Sequence, residues 1–162
     1  MKSKGIIGRL VIVSCILTML SCAKEEEEYF YQSGSIDGNY IDLKSVSIKS
    51  DYESLDDSYG YSINVQSKSG KYDFDFICVV YEPTHWKNGG TYKLYEVGQD
   101  NRWLGHAIYT TKVGDEYRVE SFETGSLTVW EINESINFID FSFRGISEDG
   151  NSITLSYDGY YK

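Results

Sequence analysis

Apolar and polar residues alternate along most of the chain after residue 33, and this pattern restricts the fold more than any other feature of the sequence. Successive side chains of a β-strand point to opposite faces of a sheet, so the alternation predicts strands with one buried face. Gly, Asp, Asn and Ser separate the runs at intervals of about 8–15 residues, as in all-β domains. We therefore predict a single antiparallel β-sandwich or flattened barrel of about eight strands over residues 33–162.

A first hairpin can be aligned from the numbering of its apolar residues, because a shift of one residue would turn every apolar side chain to solvent. The apolar residues are odd-numbered in 59–65 and even-numbered in 72–80. An even loop around Ser67-Lys68-Ser69-Gly70 would bring the two sets face to face. The predicted pairs are Val65–Tyr72, Ile63–Phe74 and Tyr61–Phe76.

A second hairpin follows from the same argument near residue 130. Leu127 and Val129 are predicted to face Phe141 and Ile139 across an odd loop, Asn133-Glu134-Ser135. In that register Trp130 would lie opposite Phe138 on the other face.

A third hairpin joins residues 139–143 to residues 153–157. Both apolar sets are odd-numbered, so the loop between them must also be odd. Glu148-Asp149-Gly150 suits a three-residue turn with Gly150 in the left-handed conformation.

The N-terminus has the layout of a bacterial lipoprotein signal peptide. Three basic residues precede an apolar run, Leu10–Leu20, and Cys22 is followed by Ala23, Lys24 and the acidic run Glu25–Glu28. Met19-Leu20-Ser21-Cys22 resembles a lipobox, in which the cysteine is acylated and becomes the new N-terminus. We predict a signal peptide over residues 1–21, lipidation of Cys22 and an acidic tether over residues 22–32.

Two other interpretations of this segment are weaker. A transmembrane helix needs about 20 apolar residues, and Arg9 limits the run to Leu10–Leu20. A rival lipobox ends at Cys15, but its use would leave the apolar residues 16–20 on the mature protein.

The charge balance excludes some partners. Residues 1–21 hold three of the 15 basic residues and none of the 25 acidic ones, so the remaining chain has a formal charge of −13. Nucleic-acid binding needs a basic stripe, and none is present. The charge also argues against docking of a folded face on an anionic membrane, so the predicted membrane contact is the lipid alone.

The cysteines leave no intrachain disulfide in the mature chain. Cys15 is lost with the signal peptide and Cys22 is acylated, so only Cys78 remains of the three. Cys78 lies among aromatic residues in the middle of a predicted strand, which predicts a buried, unreactive thiol rather than a nucleophile.

No set of residues predicts catalysis, a metal or a cofactor. The two histidines, His85 and His106, are 21 positions apart, and their spacing matches no ligand or catalytic pattern. The acidic segment 51–57 could hold calcium, but it lacks the D-x-[DN]-x-[DN]-G arrangement, so a solvated loop is favoured. We predict that the protein is not an enzyme.

Aromatic residues are concentrated in or beside the longest irregular segment, 82–103. Exposed rings on loops could bind sugars or partner proteins, whereas buried rings would cap one end of the core. The sequence leaves both interpretations open. The residues predicted as a ligand-binding platform are Trp86, Trp103, Tyr81, Tyr92 and Tyr95.

Several short motifs follow one another along the chain: Ser33–Gly38, Gly89–Leu94, Ala107–Tyr109, Thr124–Val129, Phe141–Phe143 and Asp149–Leu155. Their order resembles a family of small β-sandwich lipoproteins of unknown function from Bacteroidetes. The resemblance covers residues 34–162 and consists of turn glycines and core alternation, so it implies a fold and no catalytic residue. Glu25–Glu28 also looks like the export signal that sends lipoproteins of that phylum to the cell surface.

These observations predict a lipid-anchored protein of the outer membrane, facing the cell surface or otherwise the periplasm. Its predicted role is that of a non-catalytic binding module, with glycans as one ligand class. The alternative is a protein-interaction or structural accessory, such as a component of an assembly, an adhesin, an inhibitor or an immunity factor.

Overall fold

The computed structural model describes residues 31–51, 58–87, 89–98 and 101–162. The predicted signal peptide, Cys22 and most of the predicted tether lie outside this part of the chain, as do residues 52–57 of the acidic loop. The strands are β1 (Gln32–Ile36), β2 (Asn39–Asp51), β3 (Tyr59–Ser67), β4 (Tyr72–Val80), β5 (Gly90–Lys93), β6 (Arg102–Val113), β7 (Glu116–Asn133), β8 (Phe138–Ser147) and β9 (Ser152–Tyr160), and one short helix, α1 (Pro83–Lys87), precedes β5.

The strands form a closed, antiparallel barrel of eight strands. Starting from β1, each barrel strand pairs with the next one along the chain, and β9 pairs back with β1. Strand β5 is additional to the eight and pairs only with β7. Closure leaves the barrel without the unpaired edges that promote aggregation. The predicted all-β class is confirmed, and the barrel is the form that the chain adopts.

Large apolar side chains fill the barrel interior, as expected for eight strands. Phe76 contacts Phe143 with ring centroids 4.5 Å apart, and Phe122 meets Phe143 edge-on at 4.9 Å. Cys78 lies in the same core with no exposed surface, so the prediction of a buried thiol is confirmed. Burial raises the pKa of Cys78 far above that of a free thiol.

The first hairpin keeps the predicted faces but not the predicted register. Val65 pairs with Phe74, and Ile63 pairs with Phe76, so the strands are displaced by two residues from the prediction. The Ser67 hydroxyl accepts a hydrogen bond from the Tyr72 amide at 2.9 Å. Because of the displacement, the loop is two residues longer than predicted and still even, and the apolar side chains stay inside because a shift of two residues preserves the face.

The second hairpin also departs from the predicted register. Leu127 pairs with Phe143 and Val129 with Phe141, and a bulge follows at Trp130. The extra residue of the bulge makes the connecting loop even rather than odd. Trp130 is consequently not opposite Phe138, and 67% of its surface is exposed.

The third hairpin has the predicted turn. The Gly150 amide donates to the Ser147 carbonyl at 2.8 Å, and the Ser147 amide donates to the Asn151 carbonyl at 3.0 Å. Gly150 has a φ of +84°, which a residue with a side chain rarely adopts. The predicted three-residue turn is therefore confirmed.

The two ends of the barrel differ. The chain enters β1 at the end that also holds α1, β5 and the loop between β7 and β8. The opposite end consists of four short turns. Within the described residues, no helix is long and apolar enough to cross a membrane.

Candidate functional site

Two residues of the predicted aromatic platform lie in the core. Trp86, on α1, is 1% exposed and stacks on Tyr61 with ring centroids 4.4 Å apart and planes 7° apart. Tyr92, on β5, has no exposed surface and meets the edge of Trp86 at 6.2 Å. The assignment of Trp86 and Tyr92 to a ligand platform is therefore wrong, because α1 and β5 direct both rings into the barrel mouth.

Arg102 fixes the segment that carries these rings. It is 6% exposed, and its guanidinium donates a hydrogen bond to the Gly89 carbonyl and lies 5.6 Å from the centre of the Tyr92 ring. Gly90 has a φ of +134°, and a Cβ atom at this position would overlap the guanidinium. Burial raises the pKa of Tyr92 well above its ordinary value. The contacts hold this end of the barrel closed around an aromatic core.

The other three predicted residues lie at the surface. Tyr81 and Trp103 contact each other on the outer wall, with ring centroids 5.4 Å apart and planes tilted by 48°. Tyr81 is 43% exposed and Trp103 is half-buried. Tyr95 is 67% exposed, and its amide donates to the Leu104 carbonyl. The structure thus brings together only Tyr81 and Trp103 as an accessible pair.

A different part of the outer wall carries a concentration of hydroxyl groups. Strands β5, β7, β8, β9, β1 and β2 lie side by side here, and residues directly opposite one another form two rows across them. The first row is Thr91, Thr128, Ser142, Ser156, Ser33 and Asp42, and the second is Lys93, Ser126, Arg144, Thr154, Ser35 and Tyr40.

The part of these rows on β8, β9 and β1, together with Tyr40, lines a groove of about 500 Å³, which we call the hydroxyl groove. Two exposed rings border it: Tyr31 is 64% exposed and Tyr40 is 67% exposed. The Ser35 and Thr154 hydroxyls lie within it, 2.9 Å apart. The polar and aromatic side chains of its lining are Tyr31, Ser33, Ser35, Tyr40, Ser142, Arg144, Thr154 and Ser156.

A shallower groove of about 360 Å³ extends the hydroxyl groove along the wall. Arg144 and Thr154 line both, so the two grooves meet at this pair. Thr124, Ser126 and Ser152 add further hydroxyls. The result is a long, open depression with many hydroxyl groups rather than an enclosed cavity.

Local packing explains why the groove forms where it does. Gly34 lies opposite Leu155, and a Cβ atom on Gly34 would come within 2.7 Å of the Thr154 carbonyl oxygen. The absence of a side chain lets β1 approach β9 closely, which brings Ser33 and Ser35 beside the hydroxyls of β9. A hydrogen bond to Asp42 raises the pKa of Tyr40 and holds its hydroxyl at the groove border.

An acidic row lies next to the first hydroxyl row on the same face. Asp140 is directly opposite both Glu131 and Asp158. Burial raises the pKa of Asp140, and the charges of Asp158 and Glu131 raise it further. The row therefore places unfavourable like charges side by side.

Replacement of Asp140 by asparagine is expected to raise the Tm at pH 7 by roughly 1–4 °C. The pKa of the Asp140 carboxyl is higher in the folded than in the unfolded state, so its ionisation destabilises the fold. This cost is absent below the unfolded-state pKa and develops as the pH rises through the folded-state pKa. The difference between Asp140→Asn and the parent should consequently vanish near about pH 3. Thermal melts at both pH values measure it, with exposed Asp115→Asn as control. An equal gain at both pH values would contradict the assignment to like-charge repulsion.

The residues considered for catalysis or metal binding do not converge. His85 Nε2 lies 3.6 Å from the Glu82 carboxylate, and His106 is on the outer wall of β6. In the part of the chain that the structure describes, no three His, Cys, Asp or Glu side chains lie close enough to hold a metal ion. Residues 52–57 of the acidic segment lie outside the described residues. The preference for a solvated loop over a calcium site there stays a prediction.

Sequence reasoning missed the hydroxyl groove. A local signal was present on β9, since three of its outward positions, Ser152, Thr154 and Ser156, carry hydroxyls in a chain rich in Asp and Glu. The adjacency of this strand to β1, more than 100 residues earlier, could not be read from local alternation.

Comparison with protein-family models, with curated proteins and with solved structures finds no match to this chain.

Proposed function

We propose that the protein is a lipid-anchored, non-catalytic carbohydrate-binding module, and that the hydroxyl groove is its binding site. One observation carries the proposal: a single groove holds many hydroxyl groups and two exposed aromatic rings, those of Tyr31 and Tyr40. The proposed location is the outer membrane, on the cell surface, with the lipid at Cys22.

The chemistry of the groove suits a sugar chain. A hydroxyl group both donates and accepts hydrogen bonds, so the Ser and Thr side chains can pair with sugar hydroxyls of either polarity. Tyrosine combines an apolar ring face, on which the C–H face of a sugar ring can pack, with a polar tip. Because the groove is long and open, an extended polymer fits it better than a small, fully enclosed ligand.

The lining of the groove supports binding rather than catalysis. Its described side chains include neither a carboxylate nor a histidine, the groups that most often act as a general acid or base. Glycoside hydrolysis ordinarily requires a pair of carboxyl groups beside the bond that is broken. The acidic row lies beyond the groove lining.

A protein-interaction role is the second candidate, and a different surface favours it. An apolar patch lies on the opposite side of the barrel from β1 and β9. It consists of Ile77 and Val79 on β4, Tyr81 directly after β4, and Trp103 on β6. Ile77 is 37% exposed, so part of the patch is accessible. Aromatic patches of this kind often contribute most of the energy of a protein interface.

Tyr40→Ala and Tyr31→Ala are each expected to weaken binding in a glycan screen by about tenfold or more, since each removes one border of the groove. Tyr117→Ala is the matched control, because Tyr117 is 64% exposed on β7 and lies outside the groove lining. Binding can be measured by affinity electrophoresis or calorimetry with the hit polysaccharides. Unchanged binding in both groove variants would refute the proposed site. Loss of binding in Trp103→Ala alone would instead favour the patch on β4 and β6.

A further inference from the structure

Arg144 is the one charged side chain among the described residues that line the hydroxyl groove and its extension. It lies where the two grooves meet, between Ser126 and Thr154 on the neighbouring strands. In a chain with a large excess of acidic residues, these linings contain no carboxylate. The groove therefore has a local positive charge at its centre.

The charge of Arg144 is not neutralised by a neighbour on the barrel wall. No residue that the structure describes forms an ion pair with its guanidinium, and the side chain is exposed. The nearest carboxylate on the same face of β8 is Asp140, four positions away, or about 13 Å along a strand. The five N–H donors of Arg144 are thus available to a ligand.

Resting on the proposed function, we infer that the ligand is a mainly neutral glycan with isolated carboxylate groups, as in a polysaccharide that contains occasional uronic acid units. One carboxylate would pair with the Arg144 guanidinium, whose planar fork matches the two carboxylate oxygens. Neutral sugars on either side would contact the hydroxyls and the rings of Tyr31 and Tyr40.

The surroundings of Arg144 argue against a densely charged polymer. The lining offers one cation, so each additional carboxylate of the ligand would lie among neutral hydroxyls. Further along the face, Asp140, Glu131 and Asp158 would repel it. The groove consequently favours a ligand whose negative charges are few and well separated over one that is charged at every unit.

The test compares four polysaccharide probes on the purified protein: one with sparse uronic acid units, its carboxyl-reduced form, a polyuronate and a sulfated polymer. We expect the first to bind best, with affinity falling about 10–100-fold on carboxyl reduction. Arg144→Gln should abolish that difference, and Arg144→Lys should restore part of it. Arg118→Gln, at an exposed arginine outside both linings, should behave as the parent does.

Equal binding of the native and carboxyl-reduced polymer would overturn the inference, as would full binding by Arg144→Gln. Stronger binding of the polyuronate or the sulfated polymer would also overturn it. If neutral glycans bind and Tyr40→Ala abolishes that binding, the proposed function stands while the carboxylate inference fails. If none of the probes and no glycan in the screen binds, both fail. A thermal melt of each variant separates loss of binding from loss of folding.

Discussion

Replacement of Trp86 by alanine is expected to destabilise the protein by about 3–5 kcal/mol, the range for truncation of a fully buried aromatic side chain. Trp86 is 1% exposed, lies flat against Tyr61 at 4.4 Å and meets Tyr92 at 6.2 Å. Its removal would leave a cavity at the barrel mouth and deprive two rings of their main contact. The expected result is a fall in Tm of about 10 °C or more.

Trp130→Ala is the matched control for this prediction. Trp130 is 67% exposed on the bulge of β7, so its truncation should change the free energy of unfolding by no more than about 0.5 kcal/mol. Thermal melts of both variants under the same buffer conditions make the comparison. A Trp86→Ala variant that melts with the parent would contradict the placement of α1 in the barrel mouth. A large effect of Trp130→Ala would show that its ring packs against the domain.

Side-chain alternation predicted the inward faces of the strands well, because burial of an apolar face is a local property of each strand. It predicted register less well. The loop after Ser67 is two residues longer than predicted, and the bulge at Trp130 adds one residue to β7. Neither the loop length nor the bulge leaves a trace in apolar periodicity. A two-residue shift also preserves the buried face, so the alternation cannot detect it.

The binding surface was harder to predict than the fold. The concentration of aromatic residues in 82–103 was visible, but the division between buried Trp86 and half-exposed Trp103 depends on how α1 folds over the barrel mouth. The hydroxyl groove depends on strand order as well. Its two bordering rings, Tyr31 and Tyr40, flank β1, whereas Arg144 lies on β8, and only barrel closure through β9 brings them together.

Cys22→Ser is expected to remove the protein from the membrane fraction or to leave an unprocessed precursor. The prediction rests on the apolar run Leu10–Leu20, the small residue before Cys22 and the polar switch after it. A single acyl chain gives only marginal membrane binding, whereas several chains hold firmly. Loss of the acylated thiol should consequently abolish anchoring rather than reduce it by a small factor.

Cys15→Ser is the matched control, since Cys15 ends the rival lipobox and lies within the same apolar segment. It should leave membrane fractionation and incorporation of a palmitate analogue at the parent level, whereas Cys22→Ser should lose both. The reverse pattern would assign lipidation to Cys15 and place residues 16–21 on the mature protein. Continued labelling of the Cys22→Ser variant would refute the lipobox at Cys22. Because Cys15 and Cys22 both precede the predicted β-domain, residues 33–162, neither substitution should alter its melting temperature. A loss of anchoring would then report on the N-terminus alone.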